Sequence, residues 1–336
     1  MRGARIRRWV IILFVLIAAL ILVSLMALCT GAAGISPARI PGIIYGGKGT
    51  GEYSILFDIR LPRIILGFAI GGALSLAGTI LQGIFRNPLV EPYTLGISGG
   101  ASLGVCLNIV FNWYGVIGVI AYPISGFLGA VMVILFVYGL SMKAGTLKTQ
   151  GILLTGVMIS FISSSLVMLI MALSHSEDLH GIVFWIMGSL DEPDMLLVWV
   201  AVIGSLGGLV VSFFFCLDLN ALALGEEEAV HLGINVERTK RVLFILASFL
   251  TGLSVSVAGI IGFVGLIIPH LIRMFTGTDH RILFISAFLA GASFLILCDT
   301  LARTVIQPFE LPVGVITGII GGAVFVYALS RRQVSL

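Results

Sequence analysis

Arg60-Leu61-Pro62-Arg63 sets two guanidiniums on either side of a proline whose ring fixes its own φ, so the two forks have a restrained relative geometry. Planar guanidiniums take carboxylates through paired hydrogen bonds, and the chemistry this spacing suggests is recognition of an acidic partner. Anchoring of a helix end at an interface is the alternative that spacing alone leaves open. Asp299 and Arg303, four residues apart, can pair along one helix face and bring a third guanidinium to the same side of the molecule. The remaining titratable groups are scattered. His175, Glu177, Asp178, His180, Asp191, Glu192 and Asp194 fall within one loop, but two histidines five apart without a third fixed ligand lack the spacing of a metal site. His270 could serve as a ligand or a proton relay, but a helix-end histidine is more often a structural hydrogen bonder. Cys29, Cys106, Cys216 and Cys298 lie singly in apolar runs and read as small packing residues.

The elements that must carry these groups are apolar. Hydrophobic residues make up 59% of the chain and charged ones 10%, against roughly 25% charged in soluble domains. Apolar segments fall near residues 9–29, 62–84, 94–112, 115–140, 151–173, 195–217, 241–260, 262–275, 282–302 and 311–330. Most approach the roughly 20 residues needed to cross hydrocarbon. The expected fold class is therefore an all-α polytopic membrane protein of about ten transmembrane helices; unbroken apolar runs exclude a barrel. The eighth segment is short and is expected to enter only partway or to pack tilted against protein. Arg2 to Arg8 ahead of an apolar run could begin a signal peptide, but LMALCTGAAG is a weak cleavage site and a retained first helix is expected.

An inverted repeat organises the rest. Displaced by 181 positions, Gly71, Ser75, Ala77, Gly78, Ile80 and Pro88 meet Gly252, Ser256, Ala258, Gly259, Ile261 and Pro269, so that SLAGTI recurs as SVAGII. ISGFLGA from Ile124 meets ISAFLAG at a displacement of 161, and LLTGV from Leu153 meets VITGI at 162. These collinear matches indicate a duplication, with spans two to five (about 60–173) repeated as spans seven to ten (about 241–330). With the N-terminus inside, 14 of the 19 Lys and Arg residues fall on the inner side, both termini are cytoplasmic, and the repeats start an odd number of spans apart. They are then inverted, an arrangement that commonly places a transport path on the pseudo-twofold axis.

Between the spans, three stretches carry information. Asn87-Pro88-Leu89 and Glu91-Pro92 end a helix and restart it, with Asn87 expected to cap the restarted backbone or face a pore. Residues 30–59 read as an outer loop with a short surface helix, and GIVFWIMGSL as a short helix at the outer face. The inner connection, about 217–240, reads as two short helices: Asp218 or Asn220 caps the first, Gly225 ends it, Glu226 to Glu228 start the second, and Pro269 is expected to break the later eighth helix. Ala229 and Leu232, three apart, give the second short helix a small apolar face, suited either to protein docking or to a plain linker.

RLPR, FRNPLVEPYTLGISGGASLG, LNALALGEEEAVHLG, GIIGFVGLIIPHLIRMFTGTDHR, DTLAR and ELPVGVITGIIGG together resemble the FecCD-type permease family, the membrane subunits of ATP-binding-cassette importers for iron-siderophores, haem and cobalamin. The resemblance spans essentially the whole chain, which is then a single permease domain (1–336). It implies a homodimer in the cytoplasmic membrane, two ATPase subunits inside and an extracytoplasmic binding protein outside. It also implies contact of Leu224, Gly225, Glu226, Glu227, Ala229, Leu232 and Gly233 with the ATPase, and of Arg60, Arg63 and Arg303 with acidic residues of the binding protein. Asn87, Leu89, Thr149 and Gln150 match positions that narrow the path on the cytoplasmic side, although Lys148 and Gln150 depart from the small hydroxyl residues expected there. No cofactor is expected in this chain: it has no G-x-x-x-x-G-K-[ST], so ATP and its magnesium belong to the partner and the chain itself is not an enzyme. An ion-coupled secondary transporter would want an ionisable group in the middle of a span, and a membrane enzyme a clustered catalytic set; neither pattern is present in the sequence. An importer of an oxyanion such as molybdate is a further alternative.

Overall fold

The structure is a computed structural model describing residues 2–31, 33–118, 120–143, 146–147, 149–192, 194–306 and 309–333, without the side chains of 2, 4, 142–143, 146–147, 149–150, 328–329 and 331–333. Its helices in order are α1 Arg2–Cys29, α2 Ile40–Gly46, α3 Gly51–Ser54, α4 Leu61–Phe85, α5 Ile97–Val110, α6 Tyr114–Ile117, α7 Ala121–Ser141, α8 Thr149–Leu173, α9 Ser176–Met187, α10 Met195–Phe213, α11 Cys216–Leu222, α12 Glu226–His231, α13 Val236–Ala258, α14 Val264–Thr276, α15 His280–Ala302 and α16 Val313–Gln333. Among the described residues the sole strand pairing is a two-residue antiparallel ladder of Met142–Lys143 with Thr146–Leu147.

Ten of these helices, α1, α4, α5, α7, α8, α10, α13, α14, α15 and α16, fall on the ten expected segments. Seven are long and apolar enough to span a bilayer, and α5, α14 and Val313–Tyr327 of α16 are shorter. At 1.5 Å per residue, the 13 residues of α14 reach about 20 Å, short of a roughly 30 Å hydrocarbon core. The 14 residues of α5 are similarly short, a difference from the expected third span: Pro92–Leu95 forms a separate 3₁₀ turn ahead of it, and backbone turns follow at Phe111. The two short helices occupy corresponding places in the repeats, each following a long helix (α4, α13) and preceding two more (α7 and α8, α15 and α16).

Helix α4 is the structural centre. Its apolar window is 89% buried, whereas that of α1 is 6% buried, so α1 is a peripheral, lipid-facing helix. Close approach explains the centre. A Cβ at Gly71 would overlap the backbone of Gly291 in α15, and one at Gly78 the backbone of Gly265 in α14, so small residues set both crossings. Ser75 Oγ donates to Ala287 O across the α4–α15 contact at 2.7 Å.

Helix α14 runs unbroken through Pro269, contrary to expectation. A proline inside a helix withholds one N–H from the carbonyl four residues earlier, here Gly265 O. Gln82 Nε2 of α4 donates to that oxygen at 3.3 Å and to Leu266 O at 3.1 Å, which supplies the missing donor from a neighbouring helix. The loop 30–59 holds more helix than expected, with a 3₁₀ turn at Pro37–Arg39 and both α2 and α3, gathered on Ile35, Ile43 and Leu56. Ile55–Arg60 is π-helical and feeds directly into α4.

Candidate functional site

The charged groups separate onto two faces. On one face the start of α1 meets the α14–α15 turn through Arg5–Asp279, and Arg8 Nη2 donates to Phe275 O at 2.6 Å. The α11–α12 segment lies on this face too. Glu226 Oε2 sits 2.6 Å from Lys240 Nζ, with Arg86 Nη2 at 3.9 Å from its other oxygen. The opposite face carries Arg39–Glu52, Arg63 with Glu310, and Asp299–Arg303.

The α11–α12 segment is fastened from below and apolar above. Leu219 and Leu222 of α11 and Ala229 of α12 are buried in the main core, while Leu224, Val230 and Leu232 are 69%, 59% and 63% exposed. Ala229 and Leu232 therefore do not share a face: Leu232 is the residue after the helix and points outward. Asp218 and Asn220 do not cap α11. Asp218 Oδ2 accepts from Thr239 Oγ1 at 2.8 Å, and Asn220 bridges to the start of α15, donating to Asp279 Oδ1 at 3.0 Å and accepting from His280 N at 2.9 Å. Gly225, at φ 143°, turns the chain between the two short helices in a conformation L side chains rarely adopt. Glu226 and Glu227 occupy the first turn of α12, where the helix dipole favours carboxylates, and Gly233 at φ 82° closes the segment. Asn235, whose Oδ1 accepts from Arg238 N at 3.0 Å, caps α13; the asparagine ahead of a charged first turn was the sequence signal for it.

On the opposite face the three arginines come together but are not free. Arg60, Arg63 and Arg303 are 3%, 6% and 6% exposed. Arg60 donates to Leu28 O and Ala33 O, Arg63 Nη2 to Glu310 Oε2 at 2.7 Å, and Arg303 Nε to Asp299 Oδ2 at 2.9 Å. The three guanidiniums thus lie against groups of their own chain, and the exposed groups here are Glu310 and Asp191, whose side chains are 53% and 71% accessible. Arg63 Nε and one Arg303 Nη2 are buried without a hydrogen-bond partner, so the cluster retains unused donors. Arg63 holds the Glu310 carboxyl below its ordinary range, first through their hydrogen bond.

The interrupted segment 86–96 begins where α4 ends, at the face bearing α11 and α12. Arg86 ends α4 in the left-handed region (φ 48°), and Asn87 Oδ1 accepts from Leu89 N at 2.9 Å, closing a local turn that leaves Leu89 53% exposed. Pro88 borders a cavity of about 330 Å³ with His270, Arg273, Met274 and Thr278. Thr149 and Gln150 begin α8, and their side chains lie outside the described ones, as does residue 148. Glu91 and Tyr93 were not singled out for a role in the sequence, yet they clamp the second repeat: Glu91 Oε1 accepts from Phe263 N at 2.7 Å, and Tyr93 Oη from Ile261 N at 3.2 Å. Phe263 precedes α14 at φ 69°, a strained conformation for an aromatic residue. Among the described residues no group of three or more His, Cys, Asp or Glu is placed to hold a metal ion.

A sequence-family model described as the FecCD transport family matches residues 13–331. The hemin transport system permease protein of Yersinia pestis is 37% identical over 317 residues, covering 93% of this chain and 95% of that protein. The vitamin B12 import system permease protein of Klebsiella pneumoniae is 36% identical over 332 residues, with coverages of 98% and 95%. A solved structure, described as an inward-facing ABC transporter of the metal-chelate type, superposes with a TM-score of 0.82 at 30% identity, covering 96% of this chain and 99% of that one.

Proposed function

This chain belongs to the FecCD transport family, and on that premise we propose that it is the permease subunit of an ATP-binding-cassette importer that carries a metal chelate across the cytoplasmic membrane into the cell. Relatives named for hemin and vitamin B12 transport support the substrate class, a large ligand that arrives with its metal already coordinated. A bare cation would need fixed oxygen, imidazole or thiolate ligands to replace its water, whereas the repeat helices offer mainly glycine, serine, threonine and aliphatic residues. The working unit is a homodimer of this one permease domain with two ATPase subunits and an extracytoplasmic binding protein.

The observation that carries this reading is the α11–α12 segment, which exposes Leu224, Val230 and Leu232 while its other side is buried in the helical body. An apolar ridge fastened to the core by Glu226–Lys240 and Asn220–Asp279 is suited to entering a cleft of an ATPase and passing movement to α13 and α15. The arginine cluster is the docking point for the binding protein, whose carboxylates would exchange with Glu310 and Asp191. Asn87 and Leu89, with Thr149 and Gln150, form the narrowing on the ATPase side. The test is uptake by vesicles holding the permease, its ATPase and its binding protein, with haem, ferric siderophore, cobalamin, free iron and molybdate compared. ATP-dependent accumulation of at least one chelate is expected; accumulation of free metal or oxyanion with none of any chelate overturns the assignment.

A further inference from the structure

Away from the arginine cluster, and adjoining the coupling ridge at Leu224, a cavity of about 790 Å³ opens between the start of α1, the end of α11 and the α14–α15 turn. Arg5, Arg8, Trp9, Ala223, Leu224 and Asp279 are among its lining residues. The geometry points to a binding site here for the phosphate of an anionic phospholipid headgroup.

Four features carry this. Helix α1 is 6% buried along its apolar window, so it stands in lipid, and the change from Arg-rich turn to apolar run at Trp9 fixes the cavity at the level of the headgroups. The guanidiniums are held in place: Arg5 Cζ lies 4.8 Å and Arg281 Cζ 5.5 Å from the Trp9 ring centroid, and Arg8 is tethered by its bond to Phe275 O. Charge is in excess, because two guanidiniums, Arg5 and Arg8, line the cavity with one carboxylate, Asp279, whose charge is already shared with Arg281 beside it and whose oxygens bond Arg5, Arg281 and Asn220. Finally, Ala223 and Leu224 give the cavity an apolar side, which suits the glycerol end of an amphiphile and has no use for a free phosphate ion. Basic pockets beside spanning helices on the cytoplasmic side are a recurrent form of headgroup site. The apolar wall belongs to the segment assigned above to ATPase coupling, so an occupied cavity would brace α11 against α1.

The experiment counts phospholipids retained by the purified chain, by native mass spectrometry, during titration with phosphatidylglycerol or with phosphatidylcholine of the same acyl chains. Arg8→Gln removes a cavity guanidinium, whereas Arg7→Gln removes the same charge from an exposed neighbour outside the cavity lining. Ala223→Phe fills the cavity from an exposed position and leaves every charge in place, so the test does not depend on Arg8→Gln folding well. Wild type and Arg7→Gln are expected to retain one phosphatidylglycerol per chain in preference to phosphatidylcholine. Arg8→Gln is expected to weaken that retention about fivefold, the scale of one arginine at an anionic surface. Ala223→Phe is expected to lose it, and millimolar inorganic phosphate to leave the wild-type count unchanged. Equal retention in all variants, or equal weakening by Arg7→Gln and Arg8→Gln, overturns the site. Displacement of the lipid by inorganic phosphate would make the free ion the ligand and overturn the lipid assignment.

Discussion

Arg63 is 6% exposed and has a carboxylate of its own chain against it, so the docking role proposed for it depends on Glu310 leaving. Replacing Arg60, Arg63 and Arg303 by acids would bury uncompensated charge and test folding before it tested docking. Glu310→Gln is the sharper change: it releases Arg63 and is expected to raise the affinity of the binding protein, measured at low salt by surface-immobilised permease. Unchanged or reduced affinity would separate Arg63 from docking. The same variant has a pH signature. Glu310 is held below its ordinary range, so the pair stabilises the fold above that range, and the contribution is lost as pH falls through the depressed value. Wild type should therefore exceed Glu310→Gln in unfolding free energy near neutrality and converge with it in acid, the difference being at most about 1 kcal/mol for so exposed a partner. Ala229 and Leu232, grouped on one face by their spacing, divide by burial at 0% and 63% exposure. Ala229→Trp is expected to destabilise by about 1–3 kcal/mol through overpacking. Leu232→Asp should leave unfolding within about 0.5 kcal/mol and weaken ATPase association instead. Equal destabilisation by both would remove the distinction.

Helix α14 shows what a sequence can and cannot disclose about an element. Its apolar run, and the shortness of that run, were legible, because length and hydropathy are local properties. Its continuity through Pro269 was not, because the donor that replaces the proline's missing N–H is Gln82, 183 residues before the acceptor Gly265. The duplication was legible as matched letters, yet those letters have different structural roles. Gly78 sits mid-helix where α4 crosses α14, whereas its counterpart Gly259, at φ 68°, ends α13. Likewise the break at Asn87-Pro88 was visible, but the clamp of Glu91 and Tyr93 onto residues 261–263 required the two repeats to be folded together. Side chains that serve a distant backbone leave no periodic trace. The Gln82–Pro269 relation is testable as a cycle. Gln82→Leu alone leaves Gly265 O buried and unsatisfied, and is expected to cost about 1–3 kcal/mol in unfolding free energy. With Pro269→Ala, a backbone N–H at position 269 can reach Gly265 O, so the cost of Gln82→Leu should fall in the double variant. Strict additivity would show that Gln82 has another role.

At the scale of the whole molecule, each half of the charge distribution was assigned to a side by counting lysine and arginine, and among the described residues nine of those counted are gathered at two ends that follow the same division. Arg5, Arg8, Arg86, Lys240 and Arg281 meet partners at the end bearing α11 and α12, while Arg39, Arg60, Arg63 and Arg303 meet theirs at the other. This separation gives the proposed import cycle a direction: the coupling ridge must be cytoplasmic for an ATPase to reach it, and the arginine cluster must be extracytoplasmic for a binding protein to reach it. A thiol placed on each end settles both together. Tyr45, 91% exposed in the loop after α1, and Glu227, exposed on α12, tolerate substitution by the argument from burial. Cys106, Cys216 and Cys298 are buried and Cys29 is partly accessible, so the labelling background is a Cys29→Ser chain. In spheroplasts a membrane-impermeant maleimide is expected to label Tyr45→Cys at once and Glu227→Cys only after permeabilisation. The reverse pattern would place α12 outside, beyond the reach of any cytoplasmic ATPase, and the importer reading would fail with it. Labelling of both without permeabilisation would mean that the charge separation does not correspond to the two sides of a membrane.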